Sequence, residues 1–310
     1  MTSKYKQVET QGVNMKIRFT NKLNKKEIEN IDNLLKKVHI FDHTFRSPYL
    51  SSDYNFDKDM PAFFMAYNDS KDLIGLLAVY ADSKDVEIQL KVDPNYRRQG
   101  VASRLYELFL NETKKYGLNI VSFVTEEVFL DKNPDLIENL NLIRYESEEL
   151  QLSRKYKKKD LNNTLENSDL IFEKASMKDL DELTQLMNEA FDSDIDIAKR
   201  YNIASIESDT VDIFILRNNK DIISRVSVDF ASDVNYMYNV ATKKEYLRQG
   251  YAYTLLSKTI KEFEKENNKD FQIAVDSKNI KAKNLYEKLG FNVDTKVLYL
   301  DAIDKDKVFY

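Results

Sequence analysis

The sequence predicts an α+β fold, a mixed sheet flanked by helices, built twice in tandem. Three observations carry that reading. The segment PNYRRQGVASRLYELF returns as KEYLRQGYAYTLLSKT, so that Tyr96, Arg98, Gln99, Gly100, Ala102 and Leu105 align with Tyr246, Arg248, Gln249, Gly250, Ala252 and Leu255 at a constant offset of 150 residues. The same succession of strand and helix patterns surrounds both copies. Residues 155–168 (KYKKKDLNNTLENS) are charged, Asn-rich and almost without apolar side chains, as an exposed linker is. A single long offset in a chain of 310 residues means a duplicated domain rather than a solenoid. The partition is therefore a first domain over 15–154, a linker over 155–168 and a second domain over 169–310.

The elements follow from hydrophobic periodicity. In the first half, Met15–Phe19 alternates as a strand, and an amphipathic helix runs from about Lys25 to His39. Ala62–Tyr67, Leu73–Ala81 and Val86–Val92 read as strands, Gly100–Tyr116 as a helix and Ile120–Val124 as a strand. In the second half the same order gives Leu170–Glu173, the helix Met177–Phe191, and the strands Val211–Arg217, Ile222–Phe230 and Val234–Val240. A helix over Gly250–Asn267 and the strand Phe271–Val275 complete the repeat. Met15 reads as the start of the folded part, with the residues before it a tail.

Composition bounds the function. Apolar residues make up 42% and charged residues 32%, the balance of a globular protein. No stretch approaches the roughly 18 apolar residues of a membrane span, and the N-terminal residues lack the apolar core of a secretory signal. The expectation is a cytoplasmic protein with no membrane partner. The net charge of −5 argues against a broad nucleic-acid surface and is compatible with a cationic small molecule. The absence of cysteine excludes disulfides, thiolate metal sites and a cysteine nucleophile. The richness in Lys, Asn, Ile and Asp matches the coding bias of an AT-rich bacterium.

The chemistry is expected where strand, short loop, Arg-Gln-Gly-x-Ala and helix succeed one another. The first amides of a helix have no partner within it and point from its positive end. Gly100 and Gly250 allow a tight turn and close approach of the backbone, and Ala102 and Ala252 keep the next turn thin. Arg97, Arg98 and Arg248 can add charge-assisted contacts to phosphate oxygens. With Gln99, Val101, Gln249 and Tyr251 completing the two loops, each is a candidate cradle for a pyrophosphate. Close packing of helix on sheet is the plainer alternative for either copy alone. Neither the dinucleotide fingerprint nor a P-loop is present.

Val92-Asp-Pro-Asn-Tyr-Arg-Arg-Gln-Gly-Val-Ala102 resembles motif A of the GNAT superfamily of N-acetyltransferases. Asn279 to Phe291 (NIKAKNLYEKLGF) resembles its motif B, and the resemblance covers both halves. The second copy of motif A departs at Leu247, where the family has Arg or Gln. The resemblance implies two tandem GNAT-type domains with mostly antiparallel mixed sheets and acetyl-CoA (coenzyme A) as cofactor. It further implies direct attack by a primary amine of a small molecule or peptide on the thioester. A main-chain amide near Val92 or Val240 would face the thioester oxygen, and Tyr286 would protonate the leaving thiolate. Asn279 would cap the last helix or contact the pantetheine arm, and Glu87 stands where several members carry a catalytic base.

In the first half Ile137 replaces the tyrosine and Asn141 the glycine of motif B. Aligning the strands on Val92 and Val240 sets Asn235 opposite Glu87. Each half thus lacks one helper, and the second is the better equipped for thiolate chemistry. A non-catalytic acyl-CoA-binding or sensing protein, or one active domain supported by a structural one, is the alternative. The aromatic segment His39–Phe56 lines an acceptor pocket or packs a domain interface. No metal is expected: His39 and His43 have only Asp42 beside them, and Asp192-x-Asp194-x-Asp196 lacks the glycine and glutamate of a calcium loop. That acidic cluster caps a helix or walls an acidic pocket.

Overall fold

The computed structural model describes residues 4–9, 14–157, 161, 165, 169–218 and 221–309. The chain divides into two units, Met1–Glu148 with Thr295–Tyr310, and Glu149–Asp294. In chain order the elements are β1 (Lys4–Glu9), β2 (Asn14–Thr20), α1 (Lys25–Asp42), β3 (Phe63–Tyr67), β4 (Leu73–Tyr80), β5 (Val86–Val92), α2 (Val101–Thr113) and β6 (Val121–Glu126). Short helices α3 (Glu127–Lys132) and α4 (Leu136–Asn139) lead to β7 (Leu142–Arg154). The repeat continues with β8 (Ile171–Lys174), α5 (Leu180–Phe191), α6 (Ile195–Ile206), β9 (Val211–Arg217), β10 (Ile222–Asp229) and β11 (Val234–Thr242). It ends with α7 (Tyr251–Glu266), β12 (Asp270–Asp276), α8 (Ile280–Lys288) and β13 (Asn292–Ala302).

The first unit's sheet has the order β1-β2-β3-β4-β5-β6-β13, and the second unit's β7-β12-β11-β10-β9-β8. Within each, β5–β6 and β11–β12 are parallel, whereas the other pairs are antiparallel. The partition differs from a cut at the linker. Val297–Asp301 of β13 pairs with Glu126–Ser122 of β6, and Glu149–Arg154 of β7 pairs with Asp276–Phe271 of β12. Strands at equivalent places in the repeat have changed sheets. The open edge beside each parallel pair must be filled by one of them. Lys4–Glu9, read from sequence as part of a tail, pairs with β2 as an edge strand. Edge pairing needs only backbone groups, so it leaves no apolar signature; 1–3 and 10–13 lie outside the described residues.

Each sheet is covered on both faces. In the first unit Leu105, Leu108 and Phe109 of α2 pack with Phe64, Leu77 and Ile88. On the opposite face, Ile31, Leu34 and Val38 of α1 pack with Phe63, Met65 and Leu76. The second unit repeats the plan with Leu255, Ile260 and Phe263 of α7 on one face and Leu183 and Leu186 of α5 on the other. Burial of each such side chain contributes about 1.5–3 kcal/mol. Helix α1 opens with a capping box between Asn24 and Glu27 and ends at His43 in the left-handed region. Gly75 lets α2 lie close to β4: a Cβ there would stand 2.6 Å from Val101 Cγ1.

The parallel pairs hold the feature that matters most. β5 and β6 are in register only from Val86↔Val121 to Ile88↔Phe123, although β5 continues to Val92 and β6 to Glu126. β11 and β12 likewise stop pairing after Met237↔Ile273. Beyond those points the strands part, and each sheet opens beside the loop that precedes α2 or α7.

One expectation about equivalence is corrected here. β4 and β5 pair without interruption from Gly75↔Val92 to Tyr80↔Glu87. β10 and β11 shift register between Arg225 and Ser227, and Asn239 of β11 has a φ of 50°. The bulge adds one residue to β11. Strand ends then match as Val92 with Thr242, each paired to Gly75 or Ser224, and not with Val240. Glu87 pairs with Ser122 and Tyr236 with Gln272, so Tyr236 and not Asn235 occupies the place of Glu87. Asn235 is fully buried and donates to Asn267 Oδ1 at 3.0 Å.

Candidate functional site

Both loops are locally built in the same way. Arg98 and Arg248 have φ values of 60° and 59°, and Gly100 and Gly250 of 79° and 88°. The first bonds within the helices run from Arg104 N–H to Gly100 O and from Thr254 N–H to Gly250 O. The amides of Val101, Ala102 and Ser103, and of Tyr251, Ala252 and Tyr253, therefore face out of the helix ends. Asn68 Nδ2 donates to Tyr96 Oη at 2.9 Å, and Asn218 Nδ2 to Tyr246 Oη at 3.2 Å, fixing each loop to the hairpin before it. The loops are also tied to the first long helix of their units, with the charges reversed. Lys37 Nζ reaches Asp93 Oδ2 at 3.0 Å, and Lys243 Nζ reaches Glu182 Oε1 at 3.3 Å.

Side chains of the loops that the sequence set toward a phosphate are engaged within the fold. Gln99 and Gln249 turn back to donate to Asn95 O at 2.9 Å and Glu245 O at 2.7 Å, stapling the loop. Arg97 is already engaged within the fold. Its Nη1 and Nη2 clamp Asp42 Oδ1 and Oδ2 at 2.8 and 2.6 Å, its Nε donates to Val92 O, and Phe41 and Phe129 pack on the guanidinium. A buried carboxylate at the end of α1 outcompetes solvent for that fork. Exposed Arg98 makes no hydrogen bond or ion pair among the described residues and keeps its charge available at the cradle.

In the first unit the cradle opens on a cavity of about 520 Å³. Val92, Arg97, Arg98, Gly100, Val101 and Ala102 line it, together with Ser103. Its far wall is formed where β6 has parted from β5, by Phe123–Glu126, and by Phe129 to Leu136 beyond. Ionisable groups also line it, among them Asp42, weighed from sequence only as a metal ligand, and Lys91 and Glu126, which sequence reasoning passed over. Buried Glu126 accepts from Phe45 N–H at 2.8 Å and Arg46 N–H at 3.0 Å, pinning the start of the aromatic segment to the cavity mouth. The later part of that segment packs aside, with Tyr49 stacked on Tyr54 at 5.8 Å and edge-on to Tyr80 at 6.0 Å. Glu87 shares the α1 side of β5 with Gln89 and Lys91 but is not among the cavity-lining residues.

Burial governs the titration here. Desolvation holds the Lys91 ammonium below its ordinary pKa, opposed by Glu126 and Asp42 and reinforced by Arg46 and Arg97. His39 is likewise pushed down, by burial first and then by Lys91. Its Nδ1 lies 2.9 Å from Thr44 Oγ1 and its Nε2 3.3 Å from Ser47 Oγ, so both nitrogens have hydroxyl partners. No group of three or more potential metal ligands occurs among the described residues. Asp194 caps α6 by accepting from the amides of Asp196 and Ile197 at 2.8 and 3.2 Å, which settles the acidic cluster as a helix start.

The second cradle differs in its surroundings. Leu165, from the linker, lies 3.7 Å from where a Cβ on Gly250 would be, and its amide donates to Thr254 Oγ1 at 3.0 Å. Leu161 is buried in the core beneath α7. The flanking positions 158–160, 162–164 and 166–168 lie outside the described residues. Asn279 caps α8, accepting from Ala282 N–H at 3.1 Å. Tyr286 on α8 is 5% exposed, packs against Phe291 and has its pKa raised by burial and then by Tyr236, so its phenol stays protonated. The corresponding stretch of the first unit breaks into α3 and α4 around Pro134, with Ile137 on α4 and Asn141 in the left-handed region that Gly290 adopts in the second.

The model of the acetyltransferase (GNAT) family matches residues 28–138 and again 178–291. The chain belongs to the GNAT acetyltransferase family. Its two family regions contain the two cradles, so the GNAT fold occurs here in tandem. No curated protein matches the sequence. Solved structures share the fold at low identity. A tandem GNAT protein from the clavulanic acid biosynthesis pathway superposes with a TM-score of 0.67 at 11% identity, covering 92% of this chain and 98% of its own. A GCN5-related N-acetyltransferase from Sphaerobacter thermophilus gives 0.66 at 10% identity, covering 88% and 91%. A GNAT-family acetyltransferase from Colwellia psychrerythraea gives 0.56 at 15%, covering 96% and 99%. No described helix of this GNAT protein is long and apolar enough to cross a membrane.

Proposed function

We propose that the protein transfers an acetyl group from acetyl-CoA to a primary amine of a small molecule or peptide, and that the first unit's cleft performs the transfer. The observation that carries this reading is the cavity itself, which joins the cradle amides to the opening between β5 and β6. The amides of Val101, Ala102 and Ser103 with Arg98 would hold the pyrophosphate, for which the open helix end and unpaired guanidinium are suited. The pantetheine arm would then run along the parted strands, placing the thioester near Val92.

The amine nitrogen attacks the thioester carbon, forming the C–N bond as the C–S bond breaks. An ammonium near pKa 10.4 must first lose a proton, at a cost of about 4–5 kcal/mol at pH 7 unless the site assists. Glu87, set back from the cavity, would take that proton through water. With Ile137 in place of a tyrosine, water would also protonate the departing thiolate in this unit. In the second unit Asn279 and Tyr286 keep the pantetheine-contacting and acid roles that family resemblance gives them, and Leu165 stands beside Gly250 at that cradle.

An alternative is acyl-CoA binding without catalysis, favoured by the retreat of Glu87 from the cavity. Coenzyme A release across a panel of amines decides between them. Turnover at any amine supports transfer; tight acetyl-CoA binding with no release across the panel overturns it. Titration calorimetry tests the placement, with one high-affinity site per chain expected and two equal sites contradicting it.

A further inference from the structure

Resting on the first unit's cleft as the transfer site, the chemistry of the amine acceptor can be read from which polar groups in the cavity are already engaged. Asp42 gives both oxygens to Arg97. Glu126 accepts from two backbone amides. Both carboxylates are thus already engaged by donors of the fold. Lys132 lines the cavity but donates to Asp42 O at 2.9 Å. Lys91 is different. It is 9% exposed, lines the cavity from the α1 side of β5, and makes no hydrogen bond or ion pair among the described residues.

A buried cation that has only the longer-range attraction of Glu126 and Asp42, with no hydrogen bond or close ion pair, costs folding free energy. Buried ionisable groups of that kind, facing a cleft, cluster at functional sites. Arg98, the other unengaged cation among the lining residues, is exposed at the cradle end of the cavity, where the pyrophosphate would meet it. Lys91 lies deeper, on the strand that leads to the cradle.

We propose that Lys91 receives an anionic group carried by the acceptor, so that the amine substrate is one bearing a carboxylate, such as a free amino acid. The ammonium would pair with the carboxylate while the amine beside it faces the thioester. A purely cationic acceptor would meet a like charge at that point.

The test compares L-leucine with 3-methylbutylamine, and L-phenylalanine with 2-phenylethylamine, in coenzyme A release by the full chain and by Lys91→Met and Lys91→Arg. The wild type is expected to favour the carboxylated member of each pair. Lys91→Met should reduce that ratio of kcat/KM by roughly 10- to 100-fold, mainly through KM, the range carried by a hydrogen bond to a charged group. Lys91→Arg should restore part of it. A wild-type preference for the decarboxylated amines, or an equal loss of kcat for both members, overturns the proposal. Calorimetry of N-acetyl-L-leucine against N-(3-methylbutyl)acetamide on coenzyme A-saturated protein reads recognition without turnover. Tighter binding of the carboxylated compound, lost in Lys91→Met, supports the proposal even where no amine is turned over and the transfer reading fails. Equal binding or none overturns it.

Discussion

The two units start from the same loop and arrive at different surroundings. Each has a left-handed arginine, a left-handed glycine and a helix with free first amides. In the first, that helix end faces a cavity of about 520 Å³ lined by buried ionisable groups. In the second, a linker leucine sits beside the glycine, and a bulge in β11 shifts the strand by one residue. A backbone cradle is therefore a shared inheritance of the repeat, whereas access and acceptor chemistry are properties of what packs around it. Motif quality alone ranks the units the other way, because Tyr286 and Asn279 sit in the second.

The comparison is most sharply tested where one unit has a buried anchor and the other an exposed counterpart. Glu126→Ala leaves the amides of Phe45 and Arg46 unpaired and should destabilise the protein by about 3 kcal/mol in urea unfolding. Asp276→Ala, which removes an exposed acceptor for Lys278 N–H at 2.7 Å, should cost less than about 1 kcal/mol. Similar losses would mean that the two strand ends are anchored alike.

Cofactor affinity comes next. Gly100→Val puts a β-branched residue at a φ of 79° and is expected to weaken coenzyme A binding about 30-fold, near 2 kcal/mol. Gly250→Val should change the same titration less than about threefold; the reverse pattern would move the site to the second unit. Gly75→Ala brings a methyl 2.6 Å from Val101 Cγ1 and should cost about 1–2 kcal/mol of stability in the first unit alone.

Lys91→Met is expected to stabilise the protein, by about 1 kcal/mol at pH 7, since it removes an unpaired buried charge. The folded pKa of Lys91 lies below its ordinary 10.5, with His39, Asp42, Arg46, Arg97 and Glu126 as its charged and titratable neighbours. The unfolded state then binds the proton more tightly. The penalty is complete below the folded pKa and fades as pH rises toward 10.5, so the variant's advantage in thermal melts should shrink across that window. An advantage independent of pH would assign the gain to packing. The smallest effect is expected at Tyr286→Phe, within about twofold in coenzyme A release if the first unit catalyses. A tenfold loss would return the chemistry to the second.

Much of this molecule was written locally. Gly100, Gly250 and Asn279 meet backbone demands that arise within a few residues of themselves, so the left-handed turns and the cap of α8 were legible, whereas the cap at Asp194 was one of two readings. Lys91 and Gln89 were not. They alternate with Val86, Ile88 and Leu90, a pattern that in isolation reads as a strand with one face in water. Only the packing of α1 and the loop after it buries that polar face. The roles of Glu126 and Asp42 were not legible either, since their partners lie 81 and 55 residues away.

By itself the sequence determined the duplication, the order of the repeated strands and helices around each loop, and the two helix ends with free amides, because these rest on periodicity and on residue-level backbone preferences. The tertiary structure decided which strand completes each sheet, the register of β11, the engagement of Arg97 by Asp42 and the burial of Lys91. Each of those depends on a competition between distant partners for the same edge, carboxylate or face. Such competitions are resolved by geometry across the fold, which neighbouring residues along the chain do not encode.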